Sequence, residues 1–192
     1  MIAIIDYGAG NIKSVENAVR KLGYKTLMTS NADEIRNAEK VILPGVGEAS
    51  TAMKHLKDKK LDQLIPTLSQ AFLGICLGQQ LLCEFSEEGN TECLNIFNLK
   101  VRRFPLGEIV PHMGWNNLQK MKGPLLEGIS ESENLYFVHS YYCERGSNTT
   151  SECDYILPFS ASLQQDNFYG TQFHPEKSGN VGNLILQNFL NL

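Results

Sequence analysis

Short, largely apolar runs alternate with segments of helical periodicity through the first 85 residues, and this alternation limits the possible folds more than any other feature of the sequence. The runs are residues 2–6, 24–28, 41–43 and 71–75. The segment after the first run repeats apolar residues at helical spacing and ends at Gly23. Strands that are apolar on both faces need cover on both faces, as in a parallel sheet between two layers of helices. The pattern therefore predicts a three-layer α/β fold with a mostly parallel central sheet and helices on both faces.

The other expected helices of this half have local signals or follow directly from the strands. Asp33 lies three residues after Ser30, as in a capping box, and predicts a short helix there. Helical segments follow between about 48 and 69. One more helix is expected over 77–85, directly after the fourth apolar run.

The second half changes character, because its strand-like runs mostly lack helices between them. These runs are residues 99–104, 135–142, 159–164 and 168–173. Strands joined by turns are typical of antiparallel pairing, so some antiparallel strands are expected here. The chain ends with a predicted helix over 181–190, with Leu184, Ile185 and Phe189 as its buried stripe. Without an internal repeat or linker, residues 1–192 are expected to form a single domain.

Composition and charge exclude several classes of function. A chain of 192 residues with 42% hydrophobic and 20% charged residues fits one globular domain. It lacks a signal-peptide start and a run of 18 apolar residues, so a soluble, cytoplasmic protein is expected. The formal net charge is −4 and the sequence has no basic stripe, which argues against binding to nucleic acid or to an anionic membrane. Small molecules or proteins are the expected partners.

The five cysteines are expected to be reduced thiols, because their number is odd and none has metal-ligand spacing. Neither a metal nor a cofactor is predicted. Cys76 differs from the other four, since Gly74-Ile75-Cys76-Leu77-Gly78 has the G-x-nucleophile-x-G form of a nucleophile elbow. Small residues two positions away leave room for the sharp turn, and the start of a helix favours a thiolate. The remaining cysteines are interpreted as small buried hydrophobes: Cys83, Cys93, Cys143 and Cys153.

A thiol nucleophile needs a base, and the sequence favours His174. In extended chain, residues i and i+2 point the same way, so the Glu176 carboxylate can fix the tautomer of the His174 ring, with Pro175 holding the stretch extended. His112 and His139 are interpreted singly as structural histidines, and His139 is the next candidate for the base. The predicted catalytic triad is Cys76, His174 and Glu176.

A cysteine elbow followed much later by a His-x-Glu pair resembles the triad, or class I, glutamine amidotransferases, and the resemblance covers essentially the whole chain. Six motifs in order carry it: DYGAGN (6–11), PGVG (44–47), GICLGQQLL (74–82), PHMGWN (111–116), YFVHSYY (136–142) and FHPEKS (173–178). Other members usually have Pro-Gly-Gly where this chain has the sequence PGVG. Within the family, the six motifs are similar to those of the glutaminase subunits of histidine biosynthesis.

The resemblance implies which residues bind substrate and partner. Backbone N–H groups of Leu77 and of the Val46-Gly47 loop would hold the oxyanion of a tetrahedral intermediate. The expected glutamine-binding residues are Gln80, Glu88, Ser140 and Tyr141, with Glu87 as the alternative to Glu88. The residues expected to face a partner subunit are Asn11, Trp115, Tyr136 and Lys177, and each is equally well explained as a turn, core or surface residue. Two positions depart from the family pattern: Gln79, where an apolar residue is expected, and Gly179, where glutamine is expected.

The implied reaction is acyl transfer. Cys76 attacks the carboxamide carbon of glutamine, His174 protonates the departing ammonia, and water releases glutamate from the thioester. The sequence contains neither a Walker-type phosphate loop nor an acceptor region, so the resemblance implies a heterodimer with a (β/α)8-barrel cyclase that makes imidazole glycerol phosphate and an aminoimidazole carboxamide ribotide. Three alternatives stay open: a cysteine peptidase or other hydrolase, a glutaminase serving a different acceptor, and a binding subunit without catalysis.

Overall fold

The predicted parallel half of the sheet is present in the computed structural model, which describes residues 1–8, 12–105, 107 and 109–192. Its strands are β1 (Ile2–Ile5), β2 (Thr26–Thr29), β3 (Lys40–Leu43) and β4 (Phe72–Ile75). They pair in parallel in the order β2-β1-β3-β4, with Ile2 opposite Thr26 and Leu43 opposite Gly74. β1 and β4 are buried at every residue, as their apolar sequences require.

Helices cover both faces of these strands. They are α1 (Ile12–Lys21), α2 (Ala32–Arg36), α3 (Ala49–Asp58), α4 (Leu61–Leu64) and, after β4, α5 (Leu77–Leu81). Successive residues of β1 belong to different hydrophobic clusters: Ile4 packs in the cluster of Val15 from α1, and Ile5 in the cluster of Leu56 from α3. The three-layer arrangement follows, because successive side chains of a strand point to opposite faces.

The start of α2 differs from the prediction by one residue. Asn31, and not Ser30, is the cap, since its side-chain oxygen accepts hydrogen bonds from the backbone N–H groups of Asp33 (2.9 Å) and Glu34 (3.1 Å). An N-cap side chain must reach the second or third N–H of the helix, and Ser30 lies one position too early to do so. The helix is present, but the proposed capping box is wrong.

The helix expected over 77–85 is also too long. α5 ends at Leu81, and the chain continues directly as a strand. The cause is a returning segment whose backbone N–H groups take the carbonyls that a longer helix would use: Leu94 donates to Leu81 (2.9 Å) and Asn95 donates to Cys83 (2.8 Å). A contact with distant sequence therefore overrides the local helical pattern.

The second half extends the sheet with mixed strand directions. Its strands are β5 (Cys83–Ser86), β6 (Thr91–Glu92), β7 (Phe97–Arg103), β8 (His112–Asn117), β9 (Asn134–His139), β10 (Tyr141–Cys143), β11 (Thr149–Asp154), β12 (Pro158–Gln165) and β13 (Phe168–Thr171). β13 pairs in parallel with β4, and beyond it the order is β12-β10-β7-β5-β6, with β11 on β12. These further pairings are antiparallel except for β5 with β7. β8 and β9 form a separate antiparallel pair. The predicted fold class is confirmed.

The last helix, α6 (Gly179–Asn191), has a different buried stripe from the one predicted. Leu184 is 40% exposed, whereas Ile185 and Phe189 are buried as expected. The stripe that faces the sheet is Gly182, Ile185, Leu186, Phe189 and Leu190, which follows helical spacing, and Leu184 lies beside it. Three short 3-10 helices complete the secondary structure: Ile65–Thr67, Pro124–Leu126 and Pro175–Lys177. Within the described ranges, no helix is long and apolar enough to cross a membrane.

Candidate active site

Cys76 occupies a strained turn between β4 and α5. Its backbone has φ 54° and ψ −109°, a conformation that costs an L-residue about 1–3 kcal/mol. The two glycines of the motif make the turn possible: a Cβ on Gly78 would lie 2.0 Å from the Leu43 carbonyl oxygen, and one on Gly74 would lie 2.6 Å from the Gly78 backbone. These contacts confirm the prediction that the residues two positions before and after Cys76 must be small.

His174 reaches Cys76 through strand pairing. β13 lies beside β4 with Thr171 opposite Ile75, and the Cys76 N–H donates to the Thr171 carbonyl at 2.7 Å. The residues that follow β13 therefore lie next to the turn that carries the thiol. Nδ1 of His174 lies 2.8 Å from the Glu176 carboxylate, and both side chains are only 2% exposed.

The backbone beneath this pair is not extended as predicted. Residues Pro175–Lys177 form a 3-10 helix, in which the Lys177 N–H donates to the His174 carbonyl at 3.0 Å. The Ser178 hydroxyl donates to the same carbonyl at 2.6 Å and so stabilises the bend. His174 and Glu176 meet because the chain turns between them, so the predicted pairing is present and its geometric reason was wrong.

The electrostatics of His174 favour the imidazolium. Burial lowers its pKa, but the neighbouring Cys76 and Glu176 outweigh burial and raise the pKa from 6.5 to about 10. Since Nδ1 is held by Glu176, Nε2 is the nitrogen directed toward the thiol. Among the described residues, Nε2 has no hydrogen bond of ordinary geometry, although Cys76 is near enough to contribute to the pKa. Nε2 is thus available to exchange a proton with a bound molecule.

A cavity of about 330 Å³ opens beside Cys76 and His174. Its walls are formed by every residue predicted for the oxyanion and for glutamine: Val46, Gly47, Leu77, Gln80, Glu88, Ser140 and Tyr141. Pro111, Val138 and His139 complete the lining. Cys76 and His174 line the cavity, whereas Glu176 does not and instead contacts Nδ1 of His174.

The structure separates the two neighbouring carboxylates that the sequence left as alternatives. Glu88 lines the cavity and accepts a hydrogen bond from the Ala49 N–H at the start of α3, at 2.8 Å. Burial, assisted by the nearby Glu48, raises the pKa of Glu88 in spite of that hydrogen bond. Glu87 instead bonds to Arg102 at 2.9 Å and to the Arg103 N–H at 2.8 Å. Glu88 is thus the carboxylate that a bound cation would meet.

Sequence reasoning missed Gln172, which lies against the thiol. This fully buried side chain donates from Nε2 to the Cys76 sulfur at 3.7 Å. Its Oε1 accepts from Gln80 Nε2 at 2.9 Å, and the same Gln80 nitrogen donates to the Tyr141 carbonyl at 2.9 Å. A signal was available, because Gln172 precedes His174 by two residues in strand-like sequence and so shares its side of the chain.

The other two central histidines are engaged elsewhere. His139 Nδ1 lies 2.8 Å from the Tyr141 carbonyl, and His139 Nε2 lies 3.0 Å from Nδ1 of His112. Burial lowers the pKa of His139 to about 3 and that of His112 to about 4. Neither ring has the free nitrogen and raised pKa of His174, so the alternative base is disfavoured.

Three of the four residues expected at a partner interface lie together beside the site. Trp115 and Tyr136 are opposite each other on β8 and β9, with ring centroids 5.8 Å apart. Lys177 Nζ lies 5.8 Å from the centre of the Tyr136 ring. Trp115 is 59% exposed and Met113, on the same strand, is 63% exposed. We call these four residues the β8 surface. Asn11 lies outside the described residues.

The two departures from the family pattern have local explanations. Gln79 points away from the cavity into the sheet, where its amide nitrogen donates to the Cys143 sulfur (3.3 Å) and the Ser160 carbonyl (3.4 Å). Gly170 leaves the space for this longer side chain, because a Cβ there would lie 2.7 Å from Gln79 Cγ. Gly179 begins α6 with φ 59°, a left-handed conformation that favours glycine over the expected glutamine.

Comparison with known proteins agrees with this fold. The model of the family "Glutamine amidotransferase class-I" matches residues 3–192. A crystal structure of a glutamine amidotransferase superimposes with a TM-score of 0.75, at 18% identity, over 100% of this chain and 98% of that one. The structure of PurLQS from Thermotoga maritima gives a TM-score of 0.75 at 16% identity, over 99% of this chain and 97% of that one. The chain is a class-I glutamine amidotransferase.

Sequence relatives narrow the family further. The imidazole glycerol phosphate synthase subunit HisH of Bacteroides fragilis strain YCH46 is 53% identical over 194 residues, covering 100% of this chain and 99% of the relative. The subunit of the same name from Haemophilus influenzae strain Rd is 47% identical over 191 residues, covering 98% and 96%. The chain belongs to this HisH family of synthase subunits.

Proposed function

We propose that the chain hydrolyses glutamine to glutamate and ammonia as the glutaminase subunit of an imidazole glycerol phosphate synthase in histidine biosynthesis. The observation that carries the proposal is the buried His174–Glu176 pair, 2.8 Å apart, beside Cys76 at the 330 Å³ cavity. A thiol, an imidazolium and an orienting carboxylate are the groups that acyl transfer from an amide requires. Residues 1–192 form the single amidotransferase domain, which works in the cytoplasm.

The substrate is held by groups of matching chemistry. Glu88, a cavity carboxylate, receives the α-ammonium group of glutamine. Gln80 has its nitrogen committed to the Tyr141 carbonyl and to Gln172, which leaves its Oε1 to accept from the substrate. The backbone around Ser140 and Tyr141 borders the same cavity and holds the rest of the amino-acid group.

The reaction then has two steps. The Cys76 thiolate attacks the carboxamide carbon, and the developing oxyanion accepts hydrogen bonds from the Leu77 N–H and from the Val46-Gly47 loop. His174 gives its Nε2 proton to the amide nitrogen, the C–N bond breaks to release ammonia, and a glutamyl thioester remains. Neutral His174 next takes a proton from water, the hydroxide attacks the thioester, and glutamate is released with the thiolate restored.

The acceptor chemistry is assigned to a second polypeptide. Ammonia released into neutral water is protonated and ceases to be a nucleophile, so it must pass to its acceptor through an enclosed route. The β8 surface suits a protein partner, because exposed aromatic residues and methionine are enriched at interfaces. Lys177 connects it to the triad through the 3-10 helix that also holds Glu176. The partner is a (β/α)8-barrel cyclase that forms a heterodimer with this chain.

The test is glutamate release from the chain alone, with the cyclase, and with the cyclase loaded with its acceptor ligand. The loaded complex should be at least about tenfold faster than the chain alone, a barrier change of roughly 1.4 kcal/mol. A misdirected oxyanion donor costs more than that, and Gly47, at φ 105°, gives the loop the freedom to be misdirected. Equal rates in all three conditions would refute the activation.

Matched variants distinguish a loss of partner binding from a loss of the chemical reaction. Trp115→Ala should lose most of the stimulation while keeping the basal rate, because Trp115 lies on the β8 surface and not in the cavity. Met28→Ala, at a 42% exposed residue of the edge strand β2, should behave as the unmodified chain. Turnover of peptides or esters without any turnover of glutamine would instead identify a general cysteine hydrolase.

A further inference from the structure

A single backbone carbonyl sets the direction of a buried hydrogen-bond chain that ends at the nucleophile. The Tyr141 carbonyl can only accept, so the Gln80 group 2.9 Å away must be its NH2. The same NH2 group must then donate to the oxygen of Gln172, also at 2.9 Å. With its oxygen directed at Gln80, Gln172 can present only its NH2 group to the Cys76 sulfur, 3.7 Å away. The amide orientations are therefore determined by hydrogen-bond logic.

The Tyr141 carbonyl also accepts a hydrogen bond from His139, and this second contact makes it costly to reverse the Gln80 amide. His139 must donate to it through Nδ1, at 2.8 Å, and its Nε2 then accepts from His112 Nδ1 at 3.0 Å. Both lone pairs of the Tyr141 oxygen are thus occupied. Turning the Gln80 amide around would place two oxygens against each other in a buried place, and such an arrangement is unfavourable. The donor face of Gln172 is fixed before any substrate arrives.

Other groups also lie near the Cys76 sulfur, and the contribution of Gln172 has to be distinguished from theirs. His174 and Cys76 lie close enough for Cys76 to raise the pKa of His174. Burial raises the pKa of Tyr7, with a smaller contribution from the charge of Cys76, and the Tyr7 hydroxyl donates to the Pro44 carbonyl at 3.0 Å. In its thiol form Cys76 can donate to the Val138 carbonyl at 3.9 Å. The thiolate gains more than the thiol from an additional N–H donor, because a charged acceptor makes the stronger hydrogen bond.

We propose that Gln172 is a catalytic residue which donates a hydrogen bond to the Cys76 sulfur and stabilises its thiolate form relative to the thiol. Gln80 and the Tyr141 carbonyl are the positioning groups that keep this donor aimed. The inference rests on the proposed role of Cys76 as the nucleophile, and it adds a fixed neutral donor to the charged triad. Gln172 is completely buried, so water cannot replace its N–H if the side chain is changed.

The experiment measures the pH dependence of Cys76 alkylation by iodoacetamide, with the product mapped by mass spectrometry. Gln172→Met keeps the side-chain length and removes the donor, so its midpoint should rise by about one pH unit. Alkylation at a pH below both midpoints should then be about tenfold slower. Gln172→Glu should raise the midpoint further, because a carboxylate would face the sulfur. Gln63→Met, at an exposed glutamine of α4, should leave the profile unchanged.

An unchanged midpoint in a folded Gln172 variant would overturn the inference. Thermal unfolding checks folding. If Gln172→Met is unstable, the nearly isosteric Gln172→Glu still tests whether residue 172 contacts the sulfur. As a measurement without substitution, the Gln172 side-chain amide signals in NMR should shift as Cys76 titrates, and constant signals would count against the contact. Iodoacetamide requires neither glutamine nor a partner. A raised midpoint in a chain that never hydrolyses glutamine would therefore refute the proposed function separately.

Discussion

Replacing Glu176 by glutamine tests the triad with the smallest change in shape. The Glu176 carboxylate accepts from Nδ1 of His174 at 2.8 Å, in a pair whose side chains are each 2% exposed. An amide of the same size can still offer its oxygen, but it loses the negative charge. It can also turn its NH2 group toward Nδ1, which would place the single proton of a neutral ring on Nε2, the nitrogen that must accept a proton during deacylation.

The size of the effect follows from the lost charge. A hydrogen bond to an ionised group contributes about 1.5–3 kcal/mol, and each 1.4 kcal/mol corresponds to a factor of ten in rate. We therefore expect kcat/KM for glutamine to fall by about 10- to 100-fold in Glu176→Gln. His174→Ala should be more severe, because it removes the proton carrier itself and not only the group that orients it.

The pH dependence has a definite sign. In the folded chain the pKa of His174 is raised from 6.5 to about 10, so the imidazolium contributes stability that is complete below about pH 6.5 and is lost as the pH rises through about 10. Without the Glu176 charge this pKa should fall by about one to two pH units. The alkaline limb of kcat/KM should then move to lower pH, and the loss of thermal stability should begin earlier on the alkaline side.

The assay is glutamate release in the cyclase complex from pH 6 to about 10.5, with thermal unfolding at the same pH values. Glu133→Gln is the matched control, because it makes the same change at an exposed carboxylate. Wild-type kcat/KM in Glu176→Gln, or an alkaline limb that stays in place, would refute the assignment of Glu176 as the orienting acid. A loss greater than that of His174→Ala would refute the order of the two contributions.

Two further predictions concern the elbow. Cys76→Ala should abolish glutamine hydrolysis, whereas Cys83→Ala, Cys93→Ala and Cys143→Ala should retain it, and alkylation by a glutamine analogue mapped to any of the latter three would contradict the assignment. Gly78→Ala should cost at least about 2 kcal/mol in the free energy of unfolding and lose activity, because the new Cβ would lie 2.0 Å from the Leu43 oxygen. Gly179→Ala, whose Cβ would meet nothing within 4 Å, should cost only the roughly 1 kcal/mol of its left-handed backbone, and equal thermal shifts in the two variants would refute the steric reasoning.

The parallel half of the sheet was predictable because its strands carry their own evidence. β1, β3 and β4 are apolar on both faces and are bounded by helices, so local sequence and tertiary environment agree. β8, with the sequence HMGWNN, has no such pattern and forms through its pairing with β9. β5 was mistaken for the end of a helix, because the segment that forces it into a strand lies more than ten residues away.

The candidate site likewise contains residues that the sequence predicted and residues that it did not. Residues inside a recognisable motif, such as Cys76 and His174, were assigned from sequence, because the motif states both their chemistry and their position. Gln172 gains its role only when β13, α5 and β10 come together, and no local pattern gives the direction of its amide. The bend after His174 was missed for a similar reason, since Ser178 stabilises it from outside the pair.

If Cys76 and His174 act together as proposed, the pairing of β4 with β13 sets the point in synthesis at which the chain can become active. Cys76 emerges from the ribosome before His174 and Glu176, which follow it by 98 and 100 residues (174 − 76 and 176 − 76). His174 reaches Cys76 only after β13 has paired with β4, and contacts between distant parts of a chain are slow to form. A nascent or truncated chain would therefore carry Cys76 without its proposed proton donor. On the proposed mechanism, a copy of the chain that ends before β13 would not hydrolyse glutamine.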